Sequence, residues 1–339
     1  MANDIETYGN DNRMFLNNVV SCIGGREENQ DSCLITDTRR GLLVLVCDGM
    51  GGMAGGAVAS AEAVKAISEY VSRPENEDDI DDDNKSTLIK AIASANNVLL
   101  DIQEGNPGLK GMGTTVTALL INEDKATVAY VGDSRIYQLR NGRKVFRTFD
   151  HSMVFEMVRK KIITEEQARL SAQSNIILRA LGQKREVNVD AFDLPYDKGD
   201  LFFLCTDGVW GRMPENELIR RLSEPQHPKV VTETLAMNIH NDALRSGGGH
   251  DNLTAAMVKT TVDSKYRSKM EDKIKKAFLV CAVLLLLSII GNIVLAAMLH
   301  KSAKPSEEQA PQTEQVEQAT PGNDIAPEEM GAEAKSDKK

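Results

Sequence analysis

Leu42 to Val46 is an unbroken apolar run that passes through Cys47 into Asp48 and Gly49. A run so short and so uniformly apolar reads as a strand buried on both faces. Asp48 therefore stands where a rigid buried strand stops. The pattern recurs at Leu201 to Leu204, which lead through Cys205 and Thr206 into Asp207 and Gly208. Two such strands could bring their carboxylates together at one sheet edge, where like charges so close need a cation between them. The repeated device points to a two-metal centre.

The rest of the first 262 residues reads as layers around these strands. Leu16 to Ile23 is a strand running into GGREENQDS, which offers Arg26, Gln30 and Asp31 close together before a second strand at Ser32 to Thr36. Read alone, Arg26 beside Asp31 is either a phosphate clamp next to a metal ligand or a salt bridge on a surface hairpin. Helical spacing over Gly55 to Tyr70 and Leu88 to Leu100 brackets the charge run Pro74 to Asp83, a solvated loop without calcium-loop spacing. Val116 to Ile121, Lys125 to Tyr130, Ile136 to Leu139 and Lys144 to Phe149 have antiparallel spacing, with turns at Asn122 to Asp124 and at Asn141-Gly142. Helices follow at Met153 to Lys160 and Thr164 to Gln173, strands at Val187 to Phe192 and Leu201 to Leu204, helices at Pro214 to Arg221 and Val230 to Leu244, and a last strand at Leu253 to Lys259. This order predicts a layered α+β domain. No P-loop or dinucleotide glycine motif occurs in the strand-to-helix setting it needs.

A net charge of −10 argues against a nucleic-acid partner held through phosphates. The five cysteines, at 22, 33, 47, 205 and 281, are odd in number, and three lie in or beside apolar strand-like runs, which suits reduced, buried thiols. None has CxxC spacing, so the sequence gives no sign of a zinc or redox site. The polar, acidic start MANDIETYGNDNR is unlike a signal peptide. Ala277 to Leu299 holds 23 residues without a charge, enough to cross a bilayer as a helix. Lys265, Arg267, Lys269, Lys273, Lys275 and Lys276 crowd its N-terminal side, so the positive-inside rule leaves the preceding domain in the cytoplasm. The expected plan is a catalytic domain at 1–262, a basic linker at 263–276, a span at 277–299 in the inner (cytoplasmic) membrane, and a disordered acidic tail at 300–339 outside.

Six short motifs sharpen the expectation: GGREENQDS at 24–32, VCDGMGG at 46–52, GMGTT at 111–115, VGDSR at 131–135, CTDGVW at 205–210 and GGHDN at 248–252. In this order the chain resembles the PP2C (PPM) family of metal-dependent protein phosphatases, across residues 15 to 260. The resemblance implies a β-sandwich of two antiparallel sheets with helices on both sides, binding two Mn²⁺ or Mg²⁺ ions. It implies that Asp48 bridges the ions, that the Gly49 carbonyl helps hold one, and that Asp207 and Asp251 complete the other. Asp31 then joins the cluster mostly through metal-bound water, and Asp133 with Asp207 can hold a weaker third ion. Arg26 matches the arginine that grips the substrate phosphate, and Ser152 to Leu181 matches a flap beside the active site. Arg26, Asp48 and Asp207 are thus the expected catalytic residues. His250 is expected to position or to lie at the surface rather than to ligate.

Two positions depart from the family pattern. Gln30 stands where many relatives carry glutamate, and Met50 where eukaryotic relatives carry a histidine thought to protonate the leaving oxygen. Both departures suit a bacterial member. The implied activity is hydrolysis of phosphoserine and phosphothreonine in proteins, reversing a Ser/Thr kinase. The alternatives are a phosphatase tuned to a single partner and a membrane-anchored binding protein on a degenerate phosphatase fold.

Overall fold

The computed structural model describes residues 5–51, 55–73 and 83–302. Residues up to Ala277 form one compact unit and those from Phe278 another. The first unit stacks two antiparallel sheets. One has the order β1-β2-β12-β11-β8-β9, with β1 Ile5–Tyr8, β2 Phe15–Cys22, β8 Arg135–Arg140, β9 Arg143–Arg147, β11 Leu201–Cys205 and β12 Leu253–Thr260. The other has the order β10-β7-β6-β4-β3, with β3 Asp31–Thr38, β4 Gly41–Met50, β6 Val116–Ile121, β7 Ala126–Val131 and β10 Asp190–Leu194; the two-residue strand β5, Gly113–Thr114, pairs with the end of β4.

Helices cover both outer faces. α1 (Gly55–Ser72) and α2 (Asn84–Gly105) pack on β4 and β6 through Ala59, Ala63, Ile67, Leu88 and Ile92. On the other sheet lie α3 (Met153–Arg159), α4 (Glu165–Arg169), α5 (Asp207–Trp210), α6 (Glu215–Leu222) and α7 (Pro228–Arg245), with Val231, Leu235 and Ile239 in the shared core. Val19, Val44, Val46, Leu119, Val128, Phe202 and Leu204 fill the space between the sheets. The strands thus alternate, one parity facing the opposite sheet and the other the helices, as a two-residue period demands.

Boundaries moved where local chemistry outweighed pattern. α2 starts at Asn84, ahead of the expected Leu88, because the Asp83 side chain caps it by accepting from the Ser86 N–H at 2.8 Å. α4 starts behind a capping box of Thr164 and Gln167 and ends at Arg169 rather than at the expected Gln173, since Leu170 beyond it is 67% exposed and has no core to bury into. The pairing of β10 begins at Asp190, opposite Tyr130, a few residues later than periodicity suggested. β1, paired with β2, was not anticipated. Most of the charge run at 74–83, and the tail from residue 303, lie outside the described residues. α8 (Lys265–Ser302) contains the apolar stretch Ile274–Leu299, 26 residues with a mean hydropathy of 2.8 and none of it buried, long and apolar enough to cross a membrane.

Candidate metal centre

Strand parity decides where the acids point. On β4, Leu43, Leu45 and Cys47 face the helices while Val44 and Val46 face the other sheet. Asp48 continues that inward row. On β3, Cys33 and Ile35 face inward, and the register sets Asp31 directly across from Asp48. On the opposite sheet Phe202 and Leu204 of β11 face inward, and the next residue of that parity is Thr206. Its hydroxyl donates to Asp31 Oδ2 at 3.0 Å, a bond that joins the two sheets at their rim. Asp207 follows at once as the first residue of α5.

The backbone around these acids is held closely. The Asp48 N–H donates to Thr115 Oγ1 at 3.0 Å, and the Asp48 carbonyl accepts from the Thr115 N–H at 2.9 Å and the Thr114 hydroxyl at 2.8 Å. The GMGTT motif is therefore a clamp on the strand end. Position 49 must be glycine, because a Cβ there would lie 2.0 Å from the Gly56 carbonyl oxygen and 2.5 Å from that of Gln30. Gly208 answers the same need, since a Cβ would lie 2.0 Å from the Asn252 carbonyl oxygen, where the Asp207 turn meets the Asp251 turn.

Asp251 and Arg26 meet at the open side of the cluster. Arg26 Nη2 donates to Asp251 Oδ2 at 2.6 Å, with the two side chains 59% and 40% exposed. Asn252 fastens the Arg26 turn: its Oδ1 accepts from the Gln30 N–H at 2.9 Å, and its Nδ2 donates to the carbonyls of Ile23 and Glu28 at 2.8 and 3.0 Å. Asp133 lies in the turn between β7 and β8 and is 2% exposed. Trp210 Nε1 donates to its backbone carbonyl at 3.0 Å. Its carboxylate Oδ1, buried, has no hydrogen-bond partner. Beside the acids is a cleft of about 200 Å³ lined by Asp207, Gly208, Trp210, Arg212 and Asp251 together with Arg169, Ser174 and Asn175. The last three belong to the expected flap, so that segment does border the cluster.

These carboxylates act on one another. Burial pushes Asp31 up to about 7, Asp207 and Asp251 push further, and hydrogen bonds from Thr254 and Thr206 pull back. Burial and the charge of Asp251 raise Asp207 to about 6, and Asp48 is near enough to share a hydrogen bond with it. Asp48 is held well above the usual carboxylate range by burial and by Asp31, Asp207, Asp133 and Asp251. Asp133 is raised likewise by burial, Asp207 and Asp150. A group of acids that resist ionising together, one oxygen of which is buried without a donor, has the donor chemistry a divalent cation would satisfy. The donors are carboxylates and a carbonyl, so hard ions such as Mg²⁺ and Mn²⁺ fit.

Every expected metal residue, Asp31, Asp48, Gly49, Asp133, Asp207 and Asp251, is in or beside this cluster, with Arg26 at its rim. The supporting residues Thr206, Thr254, Thr114 and Thr115 were not singled out from the sequence. Their signal was a hydroxyl one position before or a few after a motif glycine or aspartate, which becomes meaningful only once strand parity is known.

Two stacked sheets with helices outside and hard oxygen donors at one rim define a divalent-metal enzyme of the protein phosphatase type. The profile of the protein phosphatase 2C family matches residues 20–246, and the chain belongs to that family. It is 34% identical to serine/threonine phosphatase stp of Listeria monocytogenes serotype 4b (strain F2365) over 247 residues, 72% of this chain and 91% of that one. Its fold is similar to the crystal structure of the Mycobacterium tuberculosis serine/threonine phosphatase PstP/Ppp, with a TM-score of 0.61 and 30% identity over 73% of this chain and 98% of that chain. It is also similar to the catalytic domain of the phosphatase PstP in complex with two manganese ions, with a TM-score of 0.60 and 29% identity over 74% and 99% of the two chains.

Proposed function

We propose that the chain removes phosphate from phosphoserine and phosphothreonine of cytoplasmic proteins, opposing a Ser/Thr kinase, while anchored in the membrane by its apolar helix. The observation that carries this reading is the convergence of Asp31, Asp48, Asp133 and Asp207 on one rim of the sandwich, each raised by burial and by its acidic neighbours. Asp48, the Gly49 carbonyl, Asp207 and Asp251 would hold two Mn²⁺ or Mg²⁺ ions, Asp31 would steady their water, and Asp133 with Asp207 would take a weaker third. Such ions supply an acidified water for in-line attack and positive charge opposite the phosphoryl oxygens.

The chain's own groups do the remainder. Arg26, at the open side, presents a planar fork suited to two phosphoryl oxygens, and exchanging Asp251 for a phosphate is a small movement for so exposed a side chain. Thr206 fixes the orientation of Asp31. Met50 has no proton to give, so the leaving oxygen takes its proton from solvent-derived groups rather than from this side chain. Arg169 and Arg212 make the cleft favourable to a phosphorylated, acidic segment.

Mn²⁺-dependent release of phosphate from phosphoserine and phosphothreonine peptides by the full chain in detergent tests the activity. No turnover of either peptide or of p-nitrophenyl phosphate by folded, Mn²⁺-saturated protein would sink it. Protease added to intact spheroplasts tests the orientation, and digestion of the catalytic unit there would reverse it.

A further inference from the structure

A second cluster of ligand atoms lies behind the Asp251 turn, and it is made of different chemistry. Cys22, the last residue of β2, is fully buried and sits across from Ile5 on one side and Leu253 on the other. His250, the residue before Asp251, is 4% exposed, and His240 comes from α7. One ligand atom from each of the three lies within 4.8 Å of the other two. His240 Nδ1 is 3.1 Å from His250 Nε2, with the rings edge to face at 84°.

We infer that Cys22, His240 and His250 form a zinc-class metal site, separate from the carboxylate centre. Three features favour a metal over a packed core. The donor set is one thiolate sulfur and two imidazole nitrogens, which select Zn²⁺ over Mg²⁺ or Mn²⁺. His250 Nδ1 donates to the Asp251 carbonyl at 2.7 Å, which fixes the tautomer and leaves the Nε2 lone pair facing His240, as the outer hydrogen bond of a zinc-bound histidine does. The 3.1 Å between the two nitrogens is near the edge of about 3.3 Å expected for tetrahedral zinc with Zn–N bonds of about 2.0–2.1 Å. Binding would draw the sulfur and nitrogens together by about an ångström from their widest separation. Of the three, His240 borders a groove, of about 410 Å³, that it lines with Ile5, Thr7, Glu233 and Met237.

Cys22 lies about 220 residues before the two histidines, which are ten apart, so cysteine spacing gave no hint of the cluster. An ion here would stiffen the turn that bears Asp251. It would stiffen the Arg26 turn as well, since the Gly25 N–H donates to the His250 carbonyl at 2.9 Å.

Co²⁺ is the probe, titrated into the full chain in detergent with Mg²⁺ in large excess to fill the carboxylate centre. The expected result is thiolate-to-cobalt charge transfer with the d–d bands of a tetrahedral ion, saturating at one Co²⁺ per chain and displaced by Zn²⁺. Cys22→Ser should abolish the charge-transfer band, and His240→Gln should weaken Co²⁺ binding at least about tenfold. No charge-transfer band in the unaltered chain, or a band unchanged in either variant, overturns the inference. His240 is only half buried, so His240→Gln decides the question even if Cys22→Ser does not fold. The outcome does not depend on phosphatase activity.

Discussion

Asp133 and Asp150 flank the same hairpin, one just before β8 and one just after β9, and both are buried, at 2% and 1% exposure. Their surroundings differ completely. Asp150 receives the fork of Arg135, with Nε at 2.9 Å and Nη2 at 2.7 Å, and the guanidinium is sandwiched against Trp210 at 3.7 Å. Burial pushes the Asp150 carboxyl up and Arg135 pulls it back. Asp133, two residues before Arg135 and with its backbone carbonyl held by the same Trp210, has a carboxylate oxygen with no donor. Asp150 takes its countercharge from its own chain; Asp133, under the proposed function, would take it from a bound ion. Asp200, held by Arg140 and Gln138 at 2.7 and 2.8 Å, belongs with Asp150. Asp48 and Asp207 belong with Asp133.

The largest expected effect tests the functional side of this contrast. Asp48→Asn and Asp207→Asn should each lower kcat/KM on a phosphothreonine peptide by about a thousandfold at saturating Mn²⁺. The same substitutions should raise the Tm of the metal-free protein, because each removes a charge that burial and its neighbours oppose. A lower metal-free Tm in a folded variant would break the comparison.

On the structural side, Arg135→Ala strands the buried Asp150 charge and should cost about 3–5 kcal/mol of stability in urea unfolding. Asp133→Asn, equally buried, should cost far less or stabilise. Equal losses at the two positions would mean that the acids do not fall into two kinds.

A smaller effect separates them by pH. Aspartates of an unfolded chain ionise near 3.8, whereas burial and acidic neighbours push Asp31 up to about 7 and Asp207 up to about 6 in the fold. A raised folded value gives stability that is complete below 3.8 and is lost as pH climbs through 6 to 7. The metal-free Tm should therefore fall between pH 5 and pH 8, and the Tm gain on adding Mn²⁺ should be larger at pH 8. A gain that shrinks over that interval would count against these acids as the ligands.

The smallest effect concerns Met50, whose thioether offers neither a proton nor a useful ligand for Mn²⁺. Met50→Ala should keep kcat/KM within about tenfold, a loss under about 1.4 kcal/mol. A thousandfold fall with metal affinity intact would show that this side chain takes part in the chemistry.

The two halves of the contrast were not equally legible in the sequence. Asp48 and Asp207 stood out because a buried apolar strand that ends in Asp-Gly is a strong local pattern, and the order of strands and helices followed from periodicity. That Asp31 faces Asp48, and that Thr206 reaches Asp31 from the other sheet, depends on register and on which sheets stack, and short-range pattern holds neither. Arg135 was visible only as the end of VGDSR. Its partner, 15 residues away across a hairpin, is a fact of tertiary structure. Leu170 shows the reverse, a helical pattern that stops because nothing lies beside it to pack on.

The register of β3 on β4 has one more implication, for how the chain finds its native state. A slip of one residue between them would exchange the two faces of β3 and carry Asp31 out to the helix side, yet most of the backbone ladder would survive. Such a misfolded species would be compact and rich in strand, and nearly indistinguishable by its secondary structure. It would lose the Asp31 carboxylate that Thr206 holds across from Asp48. Under the proposed role of Asp31, refolding with Mn²⁺ present should favour the native alignment, since mass action draws the ensemble toward the form that binds the ion more tightly.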